Sequence, residues 1–165
     1  MPIGKKIKRT EGNVFAIPLG DRSFAFCRML RSPLAEFFDL RSSTILPLDR
    51  IVTAPVLFKI WVMKYAFTGK VWQLVGNVPL ALEDLEAVWF FKQDPTGELF
   101  LTRDGGEEIP ATLQECVGLE RAAAWDPEHV EERLRDHFAG RPNRWVESMK
   151  PKPMGELQPR LDRVH

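Results

Sequence analysis

The sequence predicts an α+β domain, either a strongly bent antiparallel β-sheet or a half-open barrel of the SH3-like type, with one C-terminal amphipathic helix packed on it. Three observations indicate this class: short apolar runs joined by tight turns, one well-marked helix, and 13 prolines with 11 glycines among 165 residues. The length suits a single domain, expected for residues 1–149, followed by a loosely ordered, proline-containing tail at 150–165.

The N-terminal part predicts a meander of three strands, Val14–Leu19, Ser23–Leu30 and Leu34–Leu40. Gly20–Arg22 is suited to the hairpin loop that joins the first two. Because Pro18 cannot donate a ladder hydrogen bond, the first strand is expected at a sheet edge.

The run Val56–Phe67 is almost entirely β-branched, aromatic or long apolar residues, and it predicts a central strand buried on both faces. Such a strand would be the spine of the domain. The sequence predicts these shorter elements around it: a helical turn at Leu48–Val52, a strand at Val71–Val75, a single helical turn within Leu80–Glu86, and a hairpin of Ala87–Lys92 with Glu98–Arg103.

The clearest helix is expected to begin at Asp126 and to end at Phe138. Asp126 is a good N-cap and Pro127 suits the first helical position. Val130, Leu134 and Phe138 recur every four residues and form one apolar stripe. We therefore expect this helix to lie against the sheet.

Composition narrows the class of protein. The 23 basic and 23 acidic side chains cancel, which gives the whole molecule no electrostatic attraction to nucleic acid or to an anionic membrane. The basic N-terminus lacks the apolar segment of a signal peptide, and the longest apolar run is too short to span a bilayer. Two cysteines do not make a disulfide framework, so a cytoplasmic protein with reduced thiols is expected, with a single disulfide between Cys27 and Cys116 as the less favoured alternative. The sequence leaves the oligomeric state open.

The candidates for chemistry are few. His129 and His137 are eight positions apart on the predicted helix, too far to chelate one metal as an i, i+4 pair does, and His165 is terminal. Cys27 lies in an aromatic strand and Cys116 follows an acid, which favours a buried thiol and a raised thiol pKa over a nucleophile. We expect no enzyme, no metal and no cofactor. A hydrolase would require a deep pocket that groups acids with a histidine.

Charge is unevenly distributed along the chain. Glu83–Glu120 contains ten acidic and two basic side chains, a net charge of −8, whereas residues 1–31 carry +5. The acidic segment is either a set of solvated loops or a surface that attracts a basic protein partner. The residues predicted to contact that partner are Glu83, Asp84, Glu86, Asp94, Asp104, Glu107 and Glu108. The alternative function is a nucleic-acid-binding barrel that uses the basic arm Lys5, Lys6, Lys8 and Arg9.

Four blocks of sequence carry a family resemblance: EGNVFAIPLGDRSFAFCRML, AEFFDL, PVLFKIWVMKYAFTGKVWQLVGNVPL and WFFKQDP. Together they resemble the immunity protein 26 family of bacterial polymorphic toxin systems. Cys27 departs from the pattern, which favours a smaller residue such as glycine there. The resemblance implies an α+β cytoplasmic protein without catalytic activity, encoded beside a secreted toxin that it neutralises by binding. Many such toxins are basic nucleases, and an acidic surface would compete with their nucleic-acid substrate. The resemblance supplies no contact residues.

Overall fold

The computed structural model describes residues 8–103 and 106–154, in which ten strands form two sheets. In chain order the strands are β1 (Asn13–Pro18), β2 (Phe24–Met29), β3 (Leu34–Phe38), β4 (Val56–Val62), β5 (Gln73–Asn77), β6 (Trp89–Gln93), β7 (Leu99–Arg103), β8 (Glu108–Ala111), β9 (Glu120–Arg121) and β10 (Ala124–Trp125). The helices are α1 (Leu48–Val52), α2 (Tyr65–Thr68), α3 (Leu113–Cys116), α4 (Pro127–Phe138) and α5 (Arg144–Met149). Leu82–Leu85 forms one turn of 3-10 helix, here called the 3-10 turn. The predicted α+β class is confirmed.

The chain divides into two compact units. The first contains the chain up to Glu86 together with Ala123–Glu147, and the second contains Ala87–Ala122 together with the chain from Ser148 onward. The six strands of the first unit lie in the order β10-β4-β3-β2-β1-β5, and the four of the second in the order β8-β7-β6-β9. The larger sheet is antiparallel except between β4 and β10, and it is not closed into a barrel. The single domain expected for residues 1–149 stays a prediction, and the loose tail expected for 150–165 lies outside the described residues from 155 onward.

The strands at the centre of the larger sheet are buried on both faces. On one face, α1 covers a cluster of fully or nearly fully buried side chains: Val14, Ala16, Phe26, Phe38 and Ile51. The cluster explains why the connection between β3 and β4 contains a helix, since Ile51 of α1 supplies its cover.

Aromatic side chains cover the opposite face of the same sheet. Phe67 of α2 lies edge-on to Phe15 of β1 and to Trp72, with ring centroids 5.2 and 5.4 Å apart. Cys27 of β2 lies opposite Phe15 on one neighbouring strand and opposite Phe37 on the other. This position between two phenylalanines favours a small side chain, in line with the small residue that the family pattern favours, and the structure gives no reason for cysteine in place of glycine.

The prediction of one strand over Val56–Phe67 is wrong in both extent and burial. The strand β4 ends at Val62, and the remainder turns into α2. Val56 is 44% exposed, so the strand is not buried on both faces along its length. In α2, Phe67 is buried while Tyr65 is exposed, a helical arrangement that an unbroken apolar run does not reveal.

The edge position predicted for the first strand is also wrong. Strand β1 pairs with β2 on one side and with β5 on the other. Its pairing with β5 ends at Ala16, and Pro18 lies beyond that point. The missing N–H of Pro18 is therefore tolerated inside the sheet, because the strand has only one neighbour there.

The predicted helix is confirmed as α4, with Asp126 at the N-cap position, although its side chain makes no capping hydrogen bond. Val130 and Leu134 are fully buried, as the apolar stripe predicts. Arg133 lies with its guanidinium carbon 3.6 Å from the ring centroid of Phe58 on β4, so α4 packs against the sheet. The shorter helical turns at α1 and at the 3-10 turn, and the hairpin of β6 with β7, are confirmed as well. Within the described residues, no helix has the length and apolar character needed to cross a membrane.

Each edge of the two sheets, as far as the chain is described, is interrupted or short. Val75 of β5 is an extra residue, because the pairing with β1 jumps from Gly76 to Leu74. The strand β8 contains Pro110, and β9 and β10 are two residues long. Bulges, prolines and short edge strands all hinder the addition of a further strand. The edges at β5 and β8 are therefore poor templates for strand addition, whereas β10 pairs only with Trp61 and Val62 and leaves residues 56–60 of β4 with a strand neighbour on one side only in the described structure.

Candidate interaction surface

The seven acidic residues predicted to contact a partner are divided between the two units. The first unit contains Glu83, Asp84 and Glu86; the second contains Asp94, Glu107 and Glu108; Asp104 lies outside the described residues. The structure brings the first three together on and beside the 3-10 turn, and it places Glu107 and Glu108 at the start of β8. Their surroundings separate the acids that hold the fold from those that face solvent.

A buried ionic network fastens the 3-10 turn to the larger sheet. Arg28 of β2 and Glu36 of β3 are cross-strand neighbours, only 5% and 2% exposed. Arg28 Nη2 lies 2.7 Å from Glu36 Oε1 and 2.9 Å from Asp84 Oδ1, and Arg28 Nε donates to Glu36 Oε1 at 2.8 Å. One guanidinium thus binds two carboxylates, which satisfies charges that would be costly to bury alone.

Both carboxylate oxygens of Asp84 therefore make contacts that stabilise the fold. Its Oδ2 accepts a hydrogen bond from the backbone N–H of Ala81 at 2.8 Å, which caps the 3-10 turn, while its Oδ1 accepts from Arg28. The neighbouring acids Glu83 and Glu86 are exposed. Leu82, at the first position of the turn, is 86% exposed. Asp84 thus links the 3-10 turn to the sheet. Leu82 and Glu83 of the turn, and Glu86 just after it, are exposed to solvent.

The acids of the second unit divide in the same way. Asp94 Oδ1 accepts hydrogen bonds from the backbone N–H groups of Thr96 and Glu98, both at 2.9 Å, so it closes the turn between β6 and β7. The hydrogen bond from the Thr96 hydroxyl is the main cause that lowers the pKa of Asp94, and the backbone bonds add to it. Glu108 of β8 lies 2.6 Å from Nζ of Lys92 on β6, an exposed ion pair that reaches across the intervening strand β7, and Glu107 is exposed as well. Among the described acids of this group, Asp94 and Glu108 thus have contacts within the chain, and Glu107 is exposed to solvent.

The basic arm is only partly described. Lys5 and Lys6 lie outside the described residues, and Lys8 is exposed. Arg9 donates from Nη2 to the backbone oxygens of Pro33 and Val62, at 2.9 and 3.1 Å. Burial lowers the pKa of its guanidinium. Arg9 belongs to the fold rather than to a free cationic arm, so this geometry does not favour the nucleic-acid-binding alternative.

The residues considered for chemistry have structural contacts. Both cysteine thiols are free and buried, and burial raises the pKa of Cys27 and of Cys116, with the Glu115 charge adding to the second. His137 Nε2 lies 3.0 Å from Asp39 Oδ1, and the ring of His129 stacks on Trp145 with centroids 3.8 Å apart.

No group of three metal-binding side chains occurs in the described part of the chain. His165 lies beyond that part. The second unit contains two grooves, of about 520 and 370 Å³, and the described residues that line them include no histidine. The acid–histidine pocket that a hydrolase requires is therefore not formed by either groove.

Sequence reasoning missed the buried Arg28–Glu36 pair. Its signal is nevertheless present: each is a single charged residue within an apolar strand, and the two have opposite signs. Opposite charges on adjacent antiparallel strands form favourable cross-strand pairs. The third member, Asp84, comes from the acidic segment, and nothing in its local sequence distinguishes it from Glu83.

The comparisons agree with the resemblance seen in the sequence. The family model described as Immunity protein 26 matches residues 10–98, just over half of the chain. The match runs from before β1 into the turn that precedes β7, so it includes the buried network and the 3-10 turn. A search of the curated proteins and a search of the solved structures found no match.

Proposed function

Because the chain belongs to the Immunity protein 26 family, we propose that it neutralises a cognate bacterial toxin by stoichiometric protein–protein binding. The observation that carries this proposal is the family match over residues 10–98. Neutralisation by binding needs a stable surface and no catalytic step. We propose that the protein acts in the cytoplasm.

The partner that we propose is a basic toxin domain, such as a nuclease. The support is the net charge of −8 between Glu83 and Glu120, in a chain whose total charge is zero. Complementary charge speeds encounter and selects among partners. A negative surface on the inhibitor would also compete with the nucleic-acid substrate of a nuclease.

Among the described residues, the contact residues that we propose are Glu83, Glu86 and Glu107. All three are exposed. Asp84, Asp94 and Glu108 have partners within the chain, and we expect them to act on binding only through the conformation of the elements they hold. Asp104, outside the described residues, stays in the proposed set.

The test is a calorimetric titration of the protein with the toxin domain encoded by the adjacent gene, inactivated at its active site. We expect one-to-one binding that weakens as salt is raised. Glu83→Lys with Glu86→Lys should raise Kd by about tenfold or more at low salt, mainly through slower association. Glu11→Lys, an exposed acid elsewhere in the first unit, is the control and should change Kd little. Absence of binding by the wild-type protein would refute the function, and equal affinity of the wild type and the double variant would refute the contacts at Glu83 and Glu86 alone.

A further inference from the structure

Leu82 is unusual among the exposed apolar residues of the protein. It is 86% exposed, whereas the next most exposed large apolar side chains, Val117 and Met154, are each 65% exposed in the described structure. A single exposed leucine needs no explanation by itself. What sets Leu82 apart is the support beneath it.

The 3-10 turn that carries Leu82 is fixed by buried ionic groups. Asp84, two residues along, accepts hydrogen bonds from the backbone of Ala81 and from the guanidinium of Arg28, which is 5% exposed. A side chain on a fixed turn loses less conformational freedom on binding than one on a mobile loop. The arrangement thus holds an apolar side chain outward in a conformation suited to insertion into a partner.

The charges around Leu82 indicate the chemistry of that partner. Glu83 and Glu86 flank it and are exposed, and the sequence from Leu80 to Ala87 contains three acids and no base. Arg28 is shared between Glu36 and Asp84, so the buried network itself is one negative charge in excess. A partner that accepts Leu82 must therefore present cationic groups around an apolar pocket.

Strand addition is the main alternative way for a β-rich protein to bind another chain. The bulge at Val75 and the proline at position 110 interrupt two sheet edges, and the other two edge strands are two residues long within the described structure. These features hinder strand addition at β5 and β8, and a projecting side chain such as Leu82 is a second way in which this fold can bind a partner.

We infer that Leu82 is the apolar anchor of the toxin-binding surface and that it inserts into an apolar pocket with a basic rim on the toxin. This inference rests on the proposed function and names the contact at its centre. Buried anchors surrounded by polar contacts supply most of the affinity in protein interfaces.

The experiment measures binding of the inactivated toxin domain to Leu82→Ala and Leu82→Asp variants at low and high salt. We expect Kd to rise about tenfold for alanine and more for aspartate, with an unchanged urea midpoint for the free protein. The effect of Leu82→Ala should persist at high salt, because an apolar contact is not screened, whereas the effect of charge reversal at Glu83 and Glu86 should shrink. Val117, in the second unit, is also apolar and exposed. The substitution Val117→Ala is therefore the matched control and should leave Kd unchanged.

The outcomes separate the inference from the function it rests on. If the wild type binds and both Leu82 variants bind equally well, Leu82 is not the anchor, although the immunity function stands. If Val117→Ala weakens binding while Leu82→Ala does not, the apolar contact lies in the second unit and the inference is overturned. If the wild-type protein does not bind the toxin domain, the function and the inference fail together.

Discussion

Replacing Arg28 by methionine tests the buried ionic network directly. The substitution keeps most of the aliphatic stem but leaves Glu36, 2% exposed, and Asp84 without their shared cation. Removing one partner of a buried ion pair costs about 3–5 kcal/mol, because the remaining charge stays buried and uncompensated. For a chain of this size that corresponds to a fall in Tm of about 6–20 °C.

A second pair in the same protein provides the control. Lys92 and Glu108 are 2.6 Å apart, but their side chains are 41% and 45% exposed. Lys92→Met should therefore cost at most about 1 kcal/mol, since solvent screens the charges and hydrates the carboxylate that remains. Arg28 binds two buried or partly buried carboxylates and Lys92 binds one exposed carboxylate, so the difference between the two losses of stability reflects burial together with the second contact.

The assay is urea denaturation followed by tryptophan fluorescence. If Arg28→Met is too unstable to purify, the double variant Arg28→Met with Glu36→Leu replaces the pair by apolar side chains and should be more stable than Arg28→Met alone. Equal losses of stability for Arg28→Met and Lys92→Met would refute the reasoning, because they would show that the network is not buried in solution.

Three further outcomes are expected. Gly12→Ala should destabilise the protein more than Gly20→Ala. Both glycines have positive φ, at +85° and +83°, but a Cβ at Gly12 would lie 2.6 Å from a backbone oxygen, whereas a Cβ at Gly20 would lie in open space. Equal urea midpoints for the two variants would contradict this prediction. Burial raises the pKa of Cys27, so its thiolate fraction is low, and iodoacetamide at pH 8 should leave it unmodified in the native protein but not in urea, as peptide mass spectrometry would show. A hydrogen bond from Trp145 is the main cause that lowers the pKa of Glu132; the stability it supports is therefore present above the usual pKa of about 4.5 and is lost as the pH falls through the lower folded value. Trp145→Phe should accordingly destabilise the protein more at pH 7 than at pH 3, and a loss of equal size at both pH values would count against this linkage.

Local signals predicted the elements that depend on local chemistry. The helix after Asp126 follows from a cap residue, a proline at the first position and an apolar stripe, and α4 forms where they indicate. The prediction of one strand over Val56–Phe67 is wrong because an unbroken apolar run has no period that separates a strand from a helix. The switch from β4 to α2 depends on tertiary contacts, in which Phe67 packs against Phe15 and Trp72.

The candidate site was predictable in composition but not in detail. The sequence located an acidic segment, and Glu83 and Glu86 are exposed within it. The sequence does not separate them from Asp84, because that difference depends on Arg28, which is distant in the sequence and contacts Asp84 in the folded chain. The exposure of Leu82 could not be predicted either, because a short pattern of leucines and acids does not indicate which leucine faces solvent.

In the 3-10 turn, the residue that stabilises the fold is a different one from the residues that are exposed to solvent. Asp84 carries the contacts that fold the turn, and its neighbours Leu82 and Glu83 point into solvent. Substitutions at those neighbours alter the shape and charge that a partner meets, yet they leave the folding contacts intact. When the surface of a partner changes during evolution, the protein can therefore adapt by single substitutions at these exposed positions. None of those substitutions needs to destabilise the fold.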